Sequence, residues 1–335
     1  MQMQLAILVF LVSYILIATE KINRVAVALG GAAAMIVIGA TDADAIFYDH
    51  DTGIDWNVIF LLLGMMIIVG VIHKTGLFEY LAIKAIKKAK GEPKRALVFL
   101  IILTAVASAI LDNVTTILLA VPMTLVVCKQ LNVSPIPFIL SQVFASNIGG
   151  AATLVGDPPN IIIASRANLS FNDFLIHMAP WVIVVMIVIT PMLVFMFRKE
   201  LVNSSADRAR IDKLDENSYL KDKVLLKKSL FVLGAVMIAF VLHTALHLEP
   251  SIVAMLGAGV LVGISRLKPK DYAMDVEWAT LVFFAGLFIM VGALVKTGAL
   301  GEFATFLKDQ VGDQASLAAM VLLIVSAILS GIIDN

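Results

Sequence analysis

The stretch Leu111-Asp112-Asn113-Val114-Thr115-Thr116 lies in the middle of an apolar run, residues 96–128, in which Asp112 is the single charged side chain. A run of this length is too long for one crossing of a hydrocarbon core that is about 30 Å thick. We therefore predict a hairpin with Asp112-Asn113 at its tip. An ionised carboxylate at membrane depth costs a few kcal/mol or more unless a cation, a proton or donors offset it. This placement indicates ion or proton handling; the structural alternative is that Asp112 caps the second helix, with Thr115 and Thr116 in its first turn.

The next apolar run predicts a broken helix over residues 135–165. Ser146-Asn147-Ile148-Gly149-Gly150 and Gly156-Asp157-Pro158-Pro159-Asn160 are both poorly suited to a continuous helix. Non-helical backbone at membrane depth is stable only where protein groups or a water-filled cavity supply its hydrogen-bond partners. The hairpin and the break are therefore both expected to face the interior of the protein and to form a site. We expect an ion or substrate site here, and its candidate residues are Asp112, Asn113, Thr115, Thr116, Ser146, Asn147, Gly149, Gly150, Thr153, Gly156, Asp157 and Asn160.

The chemistry expected of these candidates differs. Ser146, Asn147, Gly149 and Gly150 offer short side chains and exposed backbone, which suits carbonyl coordination of a sodium-like ion or amide contacts to an anion, with a packing kink as the alternative. Asp157 either caps the restarted helix or takes part in proton or ion coupling.

Composition places the whole chain in a membrane. Of 335 residues, 60% are hydrophobic and 15% are charged, which excludes a soluble globular protein and a disordered one. Lysine plus arginine equals aspartate plus glutamate at 25 each, so no net charge favours a nucleic-acid partner. The lone cysteine excludes an internal disulfide.

Apolar runs long enough to cross a bilayer recur along the chain. They cover residues 5–19, 25–41, 56–73, 96–128, 135–164, 176–197, 230–247, 251–265 and 278–295, and another begins near residue 315.

The two halves of the chain repeat each other. Lys74-Thr75-Gly76 matches Lys296-Thr297-Gly298, and Asp112-Asn113 matches Asp334-Asn335, both at an offset of 222 residues. An odd number of crossings in the first unit makes the second unit inverted. Two inverted repeats with broken helices are typical of secondary transporters, which bind substrate near the bilayer midplane.

We therefore predict an all-α polytopic membrane protein with two inverted repeats, each with a re-entrant hairpin and a broken helix. Residues 1–197 form the first repeat: three helices, the hairpin 96–128, the broken helix 135–165 and a helix over 176–197. Residues 198–228 form a cytoplasmic linker. Residues 229–335 form the second repeat, which we expect to be truncated at its hairpin tip, so that Asp334 and Asn335 are half of a second ion site.

Loop charges predict the orientation. Six basic residues between 84 and 95 and nine between 198 and 228 place the loops 74–95 and 198–228 in the cytoplasm. The segment 42–55 carries five aspartates and no lysine or arginine, so it lies outside, as does the amino terminus. The plasma (inner) membrane of the cell is the expected location.

Other mechanisms lack their motifs. No P-loop is present, so the energy for transport by this chain itself comes from an ion gradient or the membrane potential. A peripheral ATPase that binds to the chain is an alternative source of energy. An intramembrane hydrolase would need a Gly-x-Gly-Asp motif or a nucleophile elbow, and the sequence has neither. We expect a transporter rather than an enzyme, with no cofactor besides sodium or a proton as coupling ion.

The Leu111–Thr116 motif, followed by the Ser146–Asn160 motif, resembles the ion transporter superfamily, specifically the branch of arsenite permeases, NhaD-type sodium/proton antiporters and the pink-eyed dilution protein, with a citrate transporter-like domain. The resemblance implies a homodimer that moves its site across the bilayer in elevator fashion. It also implies one ion site lined by Asp112, Asn113, Asn147, Gly150 and Gly156, of which all but Gly156 would hold a sodium ion.

Two functions follow as hypotheses. The first is secondary active transport of small inorganic ions coupled to a proton or sodium gradient, either sodium/proton antiport or efflux of an oxyanion such as arsenite. The second is sodium-coupled symport of citrate or another dicarboxylate. Related symporters carry Ser-Asn-Thr at the hairpin tip, where this chain has Asp112-Asn113-Val114. The added carboxylate would repel an anionic substrate and favours a cation or proton.

Overall fold

A computed structural model describes residues 1–201, 215–311 and 315–333. This part of the chain is about 80% helical, with sixteen α-helices, one short 3₁₀ turn at Glu216–Tyr219 and no strand. The helices are α1 Gln2–Ala18, α2 Arg24–Val37, α3 Ala43–Tyr48, α4 Trp56–Lys74, α5 Leu77–Lys88, α6 Pro93–Ser108, α7 Asn113–Leu131, α8 Ile136–Gly150, α9 Pro158–Ala167, α10 Phe171–Met196, α11 Lys223–Leu246, α12 Pro250–Ser265, α13 Pro269–Ala273, α14 Trp278–Lys296, α15 Ala299–Val311 and α16 Ala315–Ile333.

Five of these helices are long and apolar enough to cross a bilayer: α4, α7, α10, α11 and α14. Shorter apolar helical stretches are α1, α2, α12 and, within α16, Ser316–Ile328. Large apolar side chains such as Trp181, Ile187 and Phe231 lie on the outside of the protein, where water would penalise them and lipid does not. The chain is an all-α polytopic membrane protein.

The helices pack into two compact units. The first unit combines residues 1–59 with residues 277–335, and the second comprises residues 60–276. In the first unit, α2 packs along α14 through small side chains such as Ala28 and Ala32, and Gly286 lets the two backbones approach closely. The Lys296 ammonium pairs with the Asp42 carboxylate in the same unit.

The core of the second unit is formed by α5, α6, α7 and α8. Leu97, Ile101, Leu131 and Phe138 are fully buried there. A Cβ at Gly149 would overlap the Ala105 backbone, so α6 and α8 contact each other at a distance that only glycine permits at this position. This packing holds the hairpin against the helix that leads into the break.

The predicted hairpin region comprises two helices, α6 and α7, joined by a bend at residues 109–112. The predicted broken helix comprises α8 and α9, separated by the non-helical residues 151–157. The expectation that Ser146–Gly150 interrupts the helix is wrong, because α8 continues through Gly150. Close packing replaces the missing side chains of the two glycines, and this offsets their low helix propensity.

The connection 74–95, expected as a loop, contains α5. Its residues Ala82, Ile83 and Ile86 are buried on one face at helical spacing, whereas its lysines lie on the opposite, more exposed face.

The segment 215–222 docks beside α5. Lys87 Nζ contacts Glu216 Oε2 at 2.5 Å, and the Lys221 amide donates to the Thr75 carbonyl at 2.9 Å. At the carboxyl end of α4, Lys74 Nζ pairs with Asp275 Oδ2 at 2.7 Å.

The packing units and the predicted repeats divide the chain differently, since the first unit takes residues from both predicted halves. The repeat assignment and its inversion stay predictions. Asp334 and Asn335, and residues 202–214 of the predicted linker, lie outside the described residues.

Candidate functional site

Asp112 begins α7. Its backbone is extended, and its Oδ1 accepts a hydrogen bond from the Thr115 amide at 2.8 Å, which satisfies one of the donors at the helix start. The side chain is 8% exposed. A buried carboxylate thus lies at the positive end of a helix dipole, in the bend of the hairpin. Capping and ion handling, which the sequence left as alternatives, are compatible in this geometry.

Asn113 joins the hairpin tip to α8. Its Nδ2 donates to Asn147 Oδ1 at 3.2 Å, and its Oδ1 is buried without a hydrogen-bond partner among the described residues. Burying an amide oxygen without a partner is costly, so this atom is an acceptor available to a donor or a cation.

Two serines add hydrogen bonds between α8 and the bend region around Asp112 and Asn113. Ser108 Oγ donates to the Ser146 carbonyl at 2.7 Å, and Ser146 Oγ lies 2.9 Å from the Asn113 carbonyl and 3.1 Å from Ser108 Oγ. Both serines are fully buried. These bonds tie the ends of α6 and α7 to α8 and fix the position of the tip.

The break after α8 folds back onto the hairpin through side-chain hydrogen bonds. Thr153 Oγ1 donates to the Ala109 carbonyl at 2.6 Å and accepts from the Gly156 amide at 3.2 Å. Asn160 Nδ2 donates to the carbonyls of Gly150 at 3.1 Å and Thr153 at 2.9 Å. Backbone groups that the helix break releases are therefore satisfied by two polar side chains.

The glycines of the break allow close backbone approach. A Cβ at Gly150 would lie 2.5 Å from the Gly156 carbonyl oxygen, and a Cβ at Gly156 would meet the Ser108 carbonyl at 2.6 Å. Neither glycine has a positive φ, so space rather than backbone conformation requires them.

The remaining predicted residues have structural positions of their own. Thr115 supplies the amide that Asp112 accepts, and Thr116 is buried one turn into α7. Asp157 occupies the cap position of α9, and its backbone carbonyl accepts from the Asn160 amide at 3.0 Å, whereas its side chain makes no capping bond to that helix. Asp334 and Asn335 lie outside the described residues, so the predicted second site is not described.

Sequence reasoning missed four polar residues behind the tip. Besides Ser108, these are Thr104, Thr124 and Gln142, all at most 2% exposed. Thr124 Oγ1 donates to Gln142 Oε1 at 2.5 Å, and Gln142 Nε2 donates to Thr104 Oγ1 at 3.1 Å. A signal was present: Thr104 and Gln142 stand four residues before Ser108 and Ser146, which places each pair on one helix face.

The site combines one carboxylate with amide, hydroxyl and carbonyl oxygens. Oxygen ligands of this kind suit a hard cation, and the carboxylate suits a proton. Within the described ranges, no group of three or more histidine, cysteine, aspartate or glutamate side chains is arranged to hold a metal ion. A cation bound at the tip would therefore rely on Asp112 and neutral oxygens.

A buried carboxylate at a hairpin tip, held against a broken helix in a multi-pass membrane protein, is typical of membrane transporters rather than enzymes. The comparisons agree with this class. The family described as "Citrate transporter" matches residues 14–335, and the chain belongs to that family.

Named relatives support the same assignment. An uncharacterized transporter of Mycobacterium bovis is 53% identical over 331 residues, covering 98% of this chain and 77% of that protein. The 46 kDa membrane protein of Mycobacterium leprae is 51% identical over 331 residues, with 99% and 77% coverage. The human P protein is 31% identical over 400 residues, covering 96% of this chain and 48% of its own length. The family and the P proteins confirm the predicted branch of the ion transporter superfamily, and the chain is a transporter, not an enzyme.

Proposed function

We propose that the protein is a secondary active transporter of small inorganic ions, driven by a proton or sodium gradient, in which Asp112 binds the coupling cation or proton. The observation that carries this proposal is the buried Asp112 carboxylate beside the unpartnered Asn113 Oδ1. A carboxylate in this setting is stable when a cation or proton occupies the site, so its charge state and ion occupancy are coupled.

The proposed sodium ligands are Asp112, Asn113, Asn147 and Gly150. The unpartnered Oδ1 of Asn113 supports its inclusion. The Gly150 carbonyl already accepts from Asn160 Nδ2 and would use its second lone pair. Sodium/proton antiport and oxyanion efflux both fit a site of this kind, and elevator movement of a homodimer is the proposed mechanism.

The test is transport by the purified protein in liposomes that contain a trapped pH dye. Sodium added outside should move protons in the wild type and not in Asp112→Asn, which keeps the size and the capping ability of the side chain but removes its charge. Asp44→Asn, in an exposed turn of α3, is the matched control and should transport normally. Undiminished proton movement in Asp112→Asn would refute the role of this carboxylate.

Sodium-coupled uptake of citrate or another dicarboxylate is the second candidate. It is supported by the description of the matching family and by two helices, α7 and α9, that begin at the site, where helix starts favour anions. Sodium-dependent accumulation of labelled citrate, without proton movement in response to sodium alone, would favour this candidate over the first.

We also propose that the protein is located in the plasma membrane, with its amino terminus outside the cell and the loops 74–95 and 198–228 in the cytoplasm. Single cysteines placed at Asp51 and Lys90 would test this orientation in intact cells after Cys128, which is buried, is replaced by alanine. A membrane-impermeant thiol reagent should label the first position and not the second. The reverse labelling would invert the topology.

A further inference from the structure

A small cavity lies between α5, α6, α7 and α8, one helical turn behind Asp112. It measures about 20 Å³ and is lined by ten residues, among them Thr104, Thr116, Ala120, Met123 and Gln142. A cavity holds a water molecule when it offers about 10–15 Å³ of such space and two to four polar partners. The size of this cavity therefore corresponds to one water molecule.

Polar partners are available on α6, α7 and α8, whereas α5 contributes the apolar Phe78 and Ala82. Thr116 Oγ1 is buried without a hydrogen-bond partner among the described residues, and Thr116 is 2% exposed. Thr104 Oγ1 accepts one bond from Gln142 and still has its own hydrogen to donate. Gln142 retains a second Nε2 hydrogen beyond the one that Thr104 accepts. An unpaired buried hydroxyl costs about 1–3 kcal/mol, which a water at this position would recover.

An ion is a poorer occupant than water. None of the described residues that line the cavity is charged, and most of them are apolar. A bare cation in such surroundings would lack a counter-charge, whereas a water needs hydrogen bonds alone.

We propose that this cavity binds one water molecule, held by Thr116, Thr104 and Gln142, which bridges the three helices that carry the candidate ion site. The water lies on the same face of α7 as Asp112, one turn further along. It gives the hairpin a hydrated interior next to the carboxylate, independently of which ion the protein transports.

The test uses X-ray radiolysis of the full chain in lipid nanodiscs equilibrated with ¹⁸O water. Hydroxyl radicals formed from a bound water oxidise the nearest side chain, and Met123 lines the cavity, so its sulfoxide should carry ¹⁸O. Met186, half-buried against the same hydrophobic core but absent from the cavity lining, is the matched internal control and should be labelled at least fivefold less.

Two variants keep the experiment decisive. Thr116→Val removes the hydroxyl at nearly constant volume, and Ala120→Leu fills the cavity; each should lower Met123 labelling about tenfold. Because the readout needs no transport, it is independent of the proposed function. Met123 labelling no higher than that of Met186 in the wild type, or unchanged in both variants, would overturn the proposal.

Discussion

At the scale of single residues, Asp112 has two roles that substitution can separate. Its Oδ1 caps α7 through the Thr115 amide, and its charge is available to an ion. Asparagine preserves the first role and removes the second, whereas alanine removes both.

We expect Asp112→Ala to be less stable than Asp112→Asn. Loss of the cap should cost about 0.5–2 kcal/mol, because alanine leaves a helix amide unsatisfied where asparagine does not. Thermal unfolding of both variants in the same detergent measures the difference. Equal melting temperatures would mean that the capping bond contributes nothing to stability.

Gly76 and Gly298 occupy equivalent positions in the repeated Lys-Thr-Gly triplets and form a natural pair for comparison. Both have a positive φ, 80° and 83°. A Cβ at Gly76 would overlap the Tyr219 carbonyl oxygen, whereas nothing lies within 4 Å of one at Gly298.

Gly298→Ala should therefore cost about 1–2 kcal/mol, the penalty for an L-residue in the left-handed region. Gly76→Ala should cost more and should displace the segment 215–222 as well. Thermal unfolding gives the first comparison, and protease sensitivity near residue 220 gives the second. The prediction fails if the two variants unfold alike.

Asp112 and Asn113 could be found from the sequence because a charge within a long apolar run is costly and therefore conspicuous. Thr104, Thr124 and Gln142 could not be found as readily. Neutral polar side chains are common in membrane helices, and whether they bond to a neighbour depends on helix packing that one sequence does not contain.

At the scale of elements, the sequence indicated a turn near Asp112, where α6 and α7 are joined by a bend, and a helix start near Pro158, where α9 begins. It did not indicate where α8 ends or what packs beside these helices. The apolar lengths and the Gly-Asp-Pro-Pro motif indicate where helices turn or restart. The continuation of α8 through Ser146–Gly150 depends on contact with α6, and the docking of 215–222 depends on α5, which the lysine-rich composition had suggested was a loop. Tertiary contacts override local propensity in both cases.

The docked segment should respond to pH. The Lys87 ammonium, which bonds to Glu216, holds the pKa of that carboxyl below its ordinary value of 4.5. A lowered folded-state pKa means that the stabilisation is present above the unfolded pKa and is lost as pH falls through the folded one.

A spin label at Ser218→Cys, with Cys128→Ala, should therefore be immobile at neutral pH and become mobile as pH falls below about 4.5 towards the lowered folded-state pKa. Glu216→Gln should remove this transition, because its side chain does not titrate. A transition of the same midpoint in Glu216→Gln would assign the pH response to another group.

At the scale of the whole molecule, both compact units draw on both sides of the predicted linker. The first unit joins residues 1–59 to residues 277–335, and the second continues from residue 60 to residue 276. Repeat matching at a fixed offset can be read from sequence, whereas this interleaving requires knowledge of which helices pack together.

Cutting the chain within the predicted linker should leave two fragments that are unstable when separate. Residues 1–201 expressed alone, and residues 215–335 expressed alone, should each be degraded, and co-expression should restore both in the membrane fraction. Immunoblots with a tag on each fragment measure this. Introducing Gly292→Leu, which would clash with the Thr52 backbone, should abolish the rescue. Stable accumulation of either fragment alone would contradict the interleaved packing.

The pairing of Asp42 with Lys296 joins residues that are 254 positions apart. At the usual translation speed of about 5–20 residues per second, α1 and α2 would reside in the bilayer for roughly 10–50 seconds before α14 is synthesised. During that interval the small-residue face of α2 is open to lipid and to quality-control proteases. Substitutions on that face should therefore strongly reduce the amount of protein that a cell accumulates. They should have a smaller effect on the transport rate of each molecule that folds completely.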